Sequence, residues 1–156
     1  MRRKDRETDR ETAFGITDRC AFVTLALFAD GEIYAVPLSV ARIGDDFYFH
    51  CAKTGRKTQM LRKNPKVCMS CVGNVAPDGN QFAVTYESAT VFGTAEEVND
   101  ESEKRTALQA IASRYTPQAV GFEEECARER NNVAVWKIRI SEITGKRRAK
   151  RPNDTI

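Results

Sequence analysis

AFVTLALFADGEIYAVPLSVARIGDDFYFHC, residues 21–51, decides the architecture. AFVTLAL at 21–27 has the length and β-branched content of a strand. Asp30-Gly31 is the dipeptide of a tight hairpin turn. EIYAVPLSVARI at 32–43 is the returning strand, and Pro37 inside it favours a sheet edge or a bulge. Gly44-Asp45-Asp46 turns the chain again into DFYFHC at 46–51. Three strands joined by turns this short form an antiparallel meander. A parallel pair would need a crossover of a dozen residues or more, so a dinucleotide-binding βαβ opening is excluded.

Beyond residue 51 the period changes. Thr54 is placed to cap a short helix over 55–63, which Asn64-Pro65 ends. KVCMSCV at 66–72 returns to strand, 73–80 reads as a loop, and 81–98 alternates as a long strand in which Gly93 permits a bulge. Ala107, Leu108, Ile111 and Ala112 form the apolar stripe of a helix starting at Ser102, and 118–130 suits a shorter polar helix. VAVWKIRI at 133–140 is the last strand, with Trp136 in the core. The amino-terminal residues read as a charged arm leading into a helix that ends near residue 19.

A chain of 156 residues with 41% apolar and 30% charged residues is a single soluble globular domain. No apolar run approaches the roughly 20 residues that span a bilayer, and no secretory leader is visible, so a cytoplasmic address is expected. The net charge of +3 rests on KRRAKR at 146–151, five bases read here as part of a solvated tail. The first eleven residues hold five bases and four acids and are nearly neutral. Nucleic-acid binding is therefore not expected of the folded body. Cys68 and Cys71 have C-x-x-C spacing, but three residues apart on a strand they face opposite ways, which argues against redox or metal work. With His50 the only histidine, no metal site is expected.

Chemistry concentrates in HCAKTGRKTQMLRKNP, residues 50–65. A strand end passes through a small polar turn into a helix whose first turn carries Arg56 and Lys57. A helix amino terminus offers unpaired N–H groups and partial positive charge, and two basic side chains complete a phosphate seat. The spacing is not that of a Walker A loop. No Ser/His/Asp arrangement supports a hydrolytic triad.

MRRKDRE at 1–7, VPLSV at 36–40, FYFHCAKTGRKTQMLRKNPKVC at 47–68, YESATVFGTAEEV at 86–98 and ITGKR at 143–147 occur in an order that resembles the nitroimidazole-reductase-like branch of the pyridoxamine 5'-phosphate oxidase-like flavoproteins. The resemblance implies a mainly β protein with flanking helices. Its core would be a six-stranded antiparallel split β-barrel over 1–148, followed by a basic tail at 149–156. It implies FMN as cofactor and a homodimer with flavin sites at the subunit interface. Val36, Pro37, Leu38, Ser39 and Val40 match the segment along the flavin ring. Many relatives carry Asn and an aromatic where this chain has Ser39 and Val40. His50, Cys51 and Ala52 match the segment beside the ring and ribityl chain, with His50 the candidate proton donor. Arg56 and Lys57 match the phosphate ligands, and Tyr86, Glu87 and Ser88 the segment that completes the pocket.

The expected function is an FMN-dependent oxidoreductase that takes electrons from a nicotinamide donor, NAD(P)H, and passes them to a nitroaromatic or other small acceptor. Oxidation of pyridoxamine phosphate itself is not expected, because the chain lacks the fuller set of substrate-phosphate residues. The alternatives are a non-catalytic flavin- or haem-binding module with His50 as the haem ligand, and a nucleic-acid-binding barrel acting through 146–151.

Overall fold

A computed structural model describes residues 3–78 and 82–149 of the chain. After a 3-10 turn at Lys4–Arg6 come β1 (Glu7–Thr8) and α1 (Arg10–Arg19). The meander follows as β2 (Val23–Ala29), β3 (Glu32–Leu38), β4 (Ala41–Ile43) and β5 (Asp46–Ala52). Then come α2 (Arg56–Lys63), β6 (Lys66–Pro77), β7 (Val84–Glu97), α3 (Glu101–Tyr115), α4 (Phe122–Glu129) and β8 (Val133–Arg148). Asp30 and Gly31 take φ of 53° and 79°, the positive values a two-residue hairpin demands, and Ala29 pairs with Glu32 as the turn predicts. Among the described residues no helix is long and apolar enough to cross a membrane.

The strands form one antiparallel sheet in the order β3-β2-β6-β7-β8-β5-β4, with β1 added beside β8. Eight strands replace the expected six. Part of the difference is that 32–43 is not one strand. At Val40 the backbone leaves the ladder: its N–H donates to Tyr115 Oη at 3.1 Å, and its carbonyl accepts from Arg114 Nη1 at 2.8 Å. Pro37 sits in an edge strand, where its missing N–H costs no ladder bond. The two sheet edges, β3 and β4, are joined only by Ser39 and Val40, a span of at most about 11 Å. The sheet therefore curls until its edges meet. Among the described residues no ladder joins β3 to β4, so the sheet is curled and not closed by hydrogen bonds.

Three other expectations change. The stretch 73–80 is not a loop throughout, because β6 continues to Pro77 across a bulge where Asn74 has φ of 51°. The last strand does not stop at Ile140 but runs to Arg148, so the first three bases of KRRAKR are sheet residues and not tail. The remaining residues of the expected tail beyond Ala149 lie outside the described residues. Third, the cap of α2 is Gly55 and not Thr54, with no side-chain capping bond. The β7–β8 register shifts between Phe92 and Gly93, as the glycine suggested. A Cβ at Gly93 would lie 2.4 Å from the Arg139 carbonyl oxygen, which forbids any other residue there.

The core fills the concave side of the sheet. Phe47 and Phe49 of β5, Leu25 of β2, Met69 of β6, Val91 of β7 and Ile138 of β8 meet Phe14 and Ile16 of α1 and Leu61 of α2. Each fully buried large side chain contributes about 1.5–3 kcal/mol. Trp136 is in this core, and Cys71 faces it while Cys68 faces the other side of the sheet. All five cysteines are free thiols.

Candidate functional site

α2 begins where the curled sheet's two ends approach. Arg56, its first residue, reaches back to β3: Nη2 donates to Glu32 Oε2 at 2.7 Å, and the guanidinium lies 5.1 Å from the Tyr34 ring centroid. Lys57 turns the other way, with Nζ 5.6 Å from the Phe49 ring centroid on β5. The helix is held in place by Met60 and Leu61, buried in the core, and by Asn64, whose amide donates to the Phe28 carbonyl at 2.8 Å.

The two basic residues are electrostatically unlike. Arg56 is exposed and paired. Lys57 is half-buried, and among the described residues no carboxylate lies within ion-pair distance of it. Desolvation lowers the Lys57 pKa, so its charge is held at a cost that an anion would relieve. The imidazole of His50 is also lowered, first by desolvation and then by the positive charge of Lys57. Burial pushes the Cys51 thiol up, which makes it inert and not a nucleophile.

His50 and Ser39 open into a cavity of about 580 Å³. Val133 and Val135 of β8 share its floor, which β5 and β8 build through the pairs His50–Val135 and Ala52–Val133. Leu108, Ile111 and Tyr115 of α3 and Phe122 and Cys126 of α4 form the other wall. α3 is fixed over the sheet by a polar brace: Tyr48 Oη donates to Glu103 Oε1 at 2.7 Å and Lys137 Nζ to the same oxygen at 3.0 Å. Both bonds hold the Glu103 carboxyl below the usual range. At its other end Arg114 donates to the carbonyls of Thr17, Cys20 and Val40, tying α1, α3 and the β3–β4 break into one corner. The chamber is mostly apolar, with a hydroxyl, one imidazole and charged side chains of both signs from α3 and α4 also lining it, which suits a flat aromatic ligand.

The sequence-derived candidates divide accordingly. Ser39 and His50 line this cavity, Lys57 lies over the Phe49 ring instead, and Arg56 and Ala52 are exposed. Val36 packs against the core, Leu38 is buried within it, and Pro37 points outward. Val40 is wholly buried with both backbone groups engaged by α3. Tyr86, Glu87 and Ser88 pair with Arg148, Arg147 and Lys146, whereas His50 pairs with Val135. Along β8 these places are separated by about 40 Å of extended strand. One chain does not bring the two halves of the expected site together. The sequence reading missed the α3–α4 wall. Its signal was the apolar stripe at 107–112, of which Leu108, Ile111 and Ala112 line the cavity.

No protein of curated function matches the chain. Among solved structures, a proposed 5-nitroimidazole antibiotic resistance protein from Bacteroides thetaiotaomicron is 28% identical, with a TM-score of 0.76 over 88% of this chain and 83% of that one. An FAD and heme binding protein from Mycobacterium smegmatis is 23% identical, with a TM-score of 0.76 over 96% and 77%. An FAD-binding protein from Mesorhizobium loti is 19% identical, with a TM-score of 0.69 over 92% and 98%. These last two share the fold. The sequence profile described as pyridoxamine 5'-phosphate oxidase matches residues 9–147, from the start of α1 to the end of β8. That span takes in the α2 seat and the cavity alike, and the chain belongs to the pyridoxamine 5'-phosphate oxidase family.

Proposed function

We propose that the protein binds FMN and serves as an oxidoreductase for a small acceptor, a nitroaromatic among the candidates, with NAD(P)H as donor. The observation that carries this reading is Lys57: a half-buried ammonium without a carboxylate partner among the described residues, in the first turn of α2, over the Phe49 ring of β5. Lys57 and the amide groups at the start of α2 would hold the phosphate, and Arg56 would join them only by leaving Glu32. The walls from β5, β8 and α3 would hold the ring and keep water from it. Bound there, the flavin supplies two-electron redox chemistry. His50, neutral at pH 7, accepts or relays a proton at the cavity floor.

The separation of His50 from Tyr86–Ser88 supports a homodimer whose second copy completes the site. So does the convex sheet face. Ala35, Ala26, Cys68 and Phe92 lie in one row across β3, β2, β6 and β7. Phe28, Ile33 and Val72 on that side are more than half exposed. Such a face is what a protein–protein contact covers.

The protein as purified, or after incubation with FMN, is expected to be yellow, to release FMN on denaturation as identified by mass, and to elute as a dimer. Colourless protein that takes up no flavin would refute the reading. Consumption of NADPH dependent on an added nitroaromatic tests turnover. A haem reading has one observation in its favour, the sole histidine facing an apolar chamber. It requires a Soret band on haem addition that His50→Ala abolishes.

A further inference from the structure

α3 and α4 wall the His50 cavity in different ways. α3 is rooted in the protein: it buries Ala107 and Ile111 and is braced through Glu103 and Arg114. α4 buries none of its eight residues, and none of them joins either packed cluster of the core. Phe122 and Cys126, one helical turn apart, are half-buried and line the cavity, while Glu124 and Arg128 are exposed. The helix turns an apolar face to the cavity without packing into it.

The two ends of α4 are held unequally. Past its carboxyl end the Asn132 carbonyl accepts from the Lys53 N–H at 3.1 Å, which pins the helix to the end of β5. Its amino end hangs from residues 116–121, all of them exposed. Gly121 starts the helix with φ of 81° and supplies no side-chain cap. Among the described residues, the hydrogen bonds of 117–121 reach only the end of α3 and α4 itself. At this end Arg105 of α3 holds α4, its Nε donating to Glu123 Oε2 at 3.3 Å. Nearer the pinned end Arg130 Nε lies 3.4 Å from Glu101 Oε2. All four of these side chains are more than half exposed. Ion pairs so well solvated are weak, and salt screens them.

We infer that α4 is a lid over the cavity of about 580 Å³. It swings about its Asn132 end, admits a planar ligand when the Arg105–Glu123 and Arg130–Glu101 pairs part, and closes Phe122 and Cys126 onto that ligand. That flavin is the ligand rests on the reading above; that α4 opens does not. Closure removes water from the bound ring, and the opening step then sets the rate of release.

Hydrogen exchange of the full chain, followed amide by amide, tests this with two probes. One is FMN. The other is anilinonaphthalene sulfonate, a dye that fills apolar cavities and does not depend on the flavin reading. Without ligand, the hydrogen-bonded amides of α4 are expected to exchange at least about tenfold faster than those of α3. Added salt should speed α4 further and leave α3 unchanged. Either probe should slow α4 at least about tenfold. Arg105→Gln combined with Arg130→Gln should speed probe release about threefold to tenfold, the range that two solvated ion pairs set. Arg128→Gln removes an arginine whose ion pairs among the described residues stay within α4, and should leave release unchanged. Protection of α4 by the dye without any binding of FMN would refute the flavin reading and support the lid. α4 exchanging as slowly as α3 at every salt concentration would overturn the lid. So would α4 left unprotected by both probes, or release accelerated equally by Arg128→Gln.

Discussion

The two ends of β8 handle charge in opposite ways. Where β8 pairs with β5 near Val135, Lys57 lies desolvated over Phe49 without a carboxylate partner among the described residues, and His50, its pKa lowered by burial and by Lys57, opens into an apolar chamber. Near Arg147 it buries a carboxylate and satisfies it with two arginines and an asparagine. At the first end stability is given up to keep a cation available. At the second a buried anion sets the geometry of a layer of cations, and that geometry is part of the fold. The contrast predicts that changes at one end show up in ligand retention, and at the other first in unfolding.

The largest expected effect is on stability. Arg19→Ala combined with Arg147→Ala leaves Glu87 buried with only Asn74 as a partner among the described residues. Stranding a buried charge costs about 3–5 kcal/mol. Urea denaturation should show that loss, and a loss below about 1 kcal/mol would mean that Glu87 is not a structural hub. Lys57→Met should behave in reverse. The folded state depresses the lysine pKa, so the unfolded chain binds that proton more readily, and at neutral pH the charged lysine lowers stability. Its replacement should leave the urea midpoint unchanged or raised, while flavin affinity falls roughly tenfold to a hundredfold, the worth of a charge-assisted hydrogen bond. Equilibrium dialysis of FMN measures the second quantity.

How far these ends were legible from sequence follows from the range of the forces involved. The meander at 21–51, the Asp30-Gly31 hairpin and the Gly93 bulge were readable because turn geometry and strand alternation are local. The break at Ser39-Val40 was not, because its cause is Arg114 and Tyr115, some 75 positions along the chain. Likewise KRRAKR looked like a solvated tail. Nothing nearby in sequence announces that Arg147 and Arg148 meet Glu87 and Asp78, one pair 60 and the other 70 residues away. At the site, residue types pointed to 50–57 as a place for an anion. Which of the two basic residues was free for it depended on Glu32, a partner on another strand.

His50 allows the site's electrostatics to be followed directly. As the only histidine, its ring C–H resonance titrates without overlap. Desolvation, and secondarily Lys57, hold its folded pKa below 6.5. The unfolded chain therefore takes up this proton first on acidification. The group's contribution to stability is complete above pH 6.5 and is lost as pH falls from there through the lower folded value. His50→Gln should flatten that part of the stability profile between pH 7.5 and pH 5. Adding FMN should raise the titration midpoint, because a phosphate at α2 offsets Lys57. A midpoint that FMN leaves unmoved would separate the phosphate from this end of the sheet.

The smallest expected effect is the most pointed. Arg56 and Lys57 are neighbours in one helical turn, and on composition alone they are equivalent phosphate ligands. In the fold they are not. The Arg56 pair with Glu32 is solvated on both sides, with side chains 55% and 67% exposed. Such a pair is worth less than about 1 kcal/mol. To reach a phosphate at α2, Arg56 must give up that pair and its position over Tyr34, so part of the gain is cancelled. Arg56→Ala should therefore weaken FMN binding by less than about fivefold, the factor that 1 kcal/mol sets. It should shift the urea midpoint little. Equal losses for Arg56→Ala and Lys57→Met would mean that availability of charge does not decide which residue binds. The contrast between the two ends of β8 would then lose its physical basis.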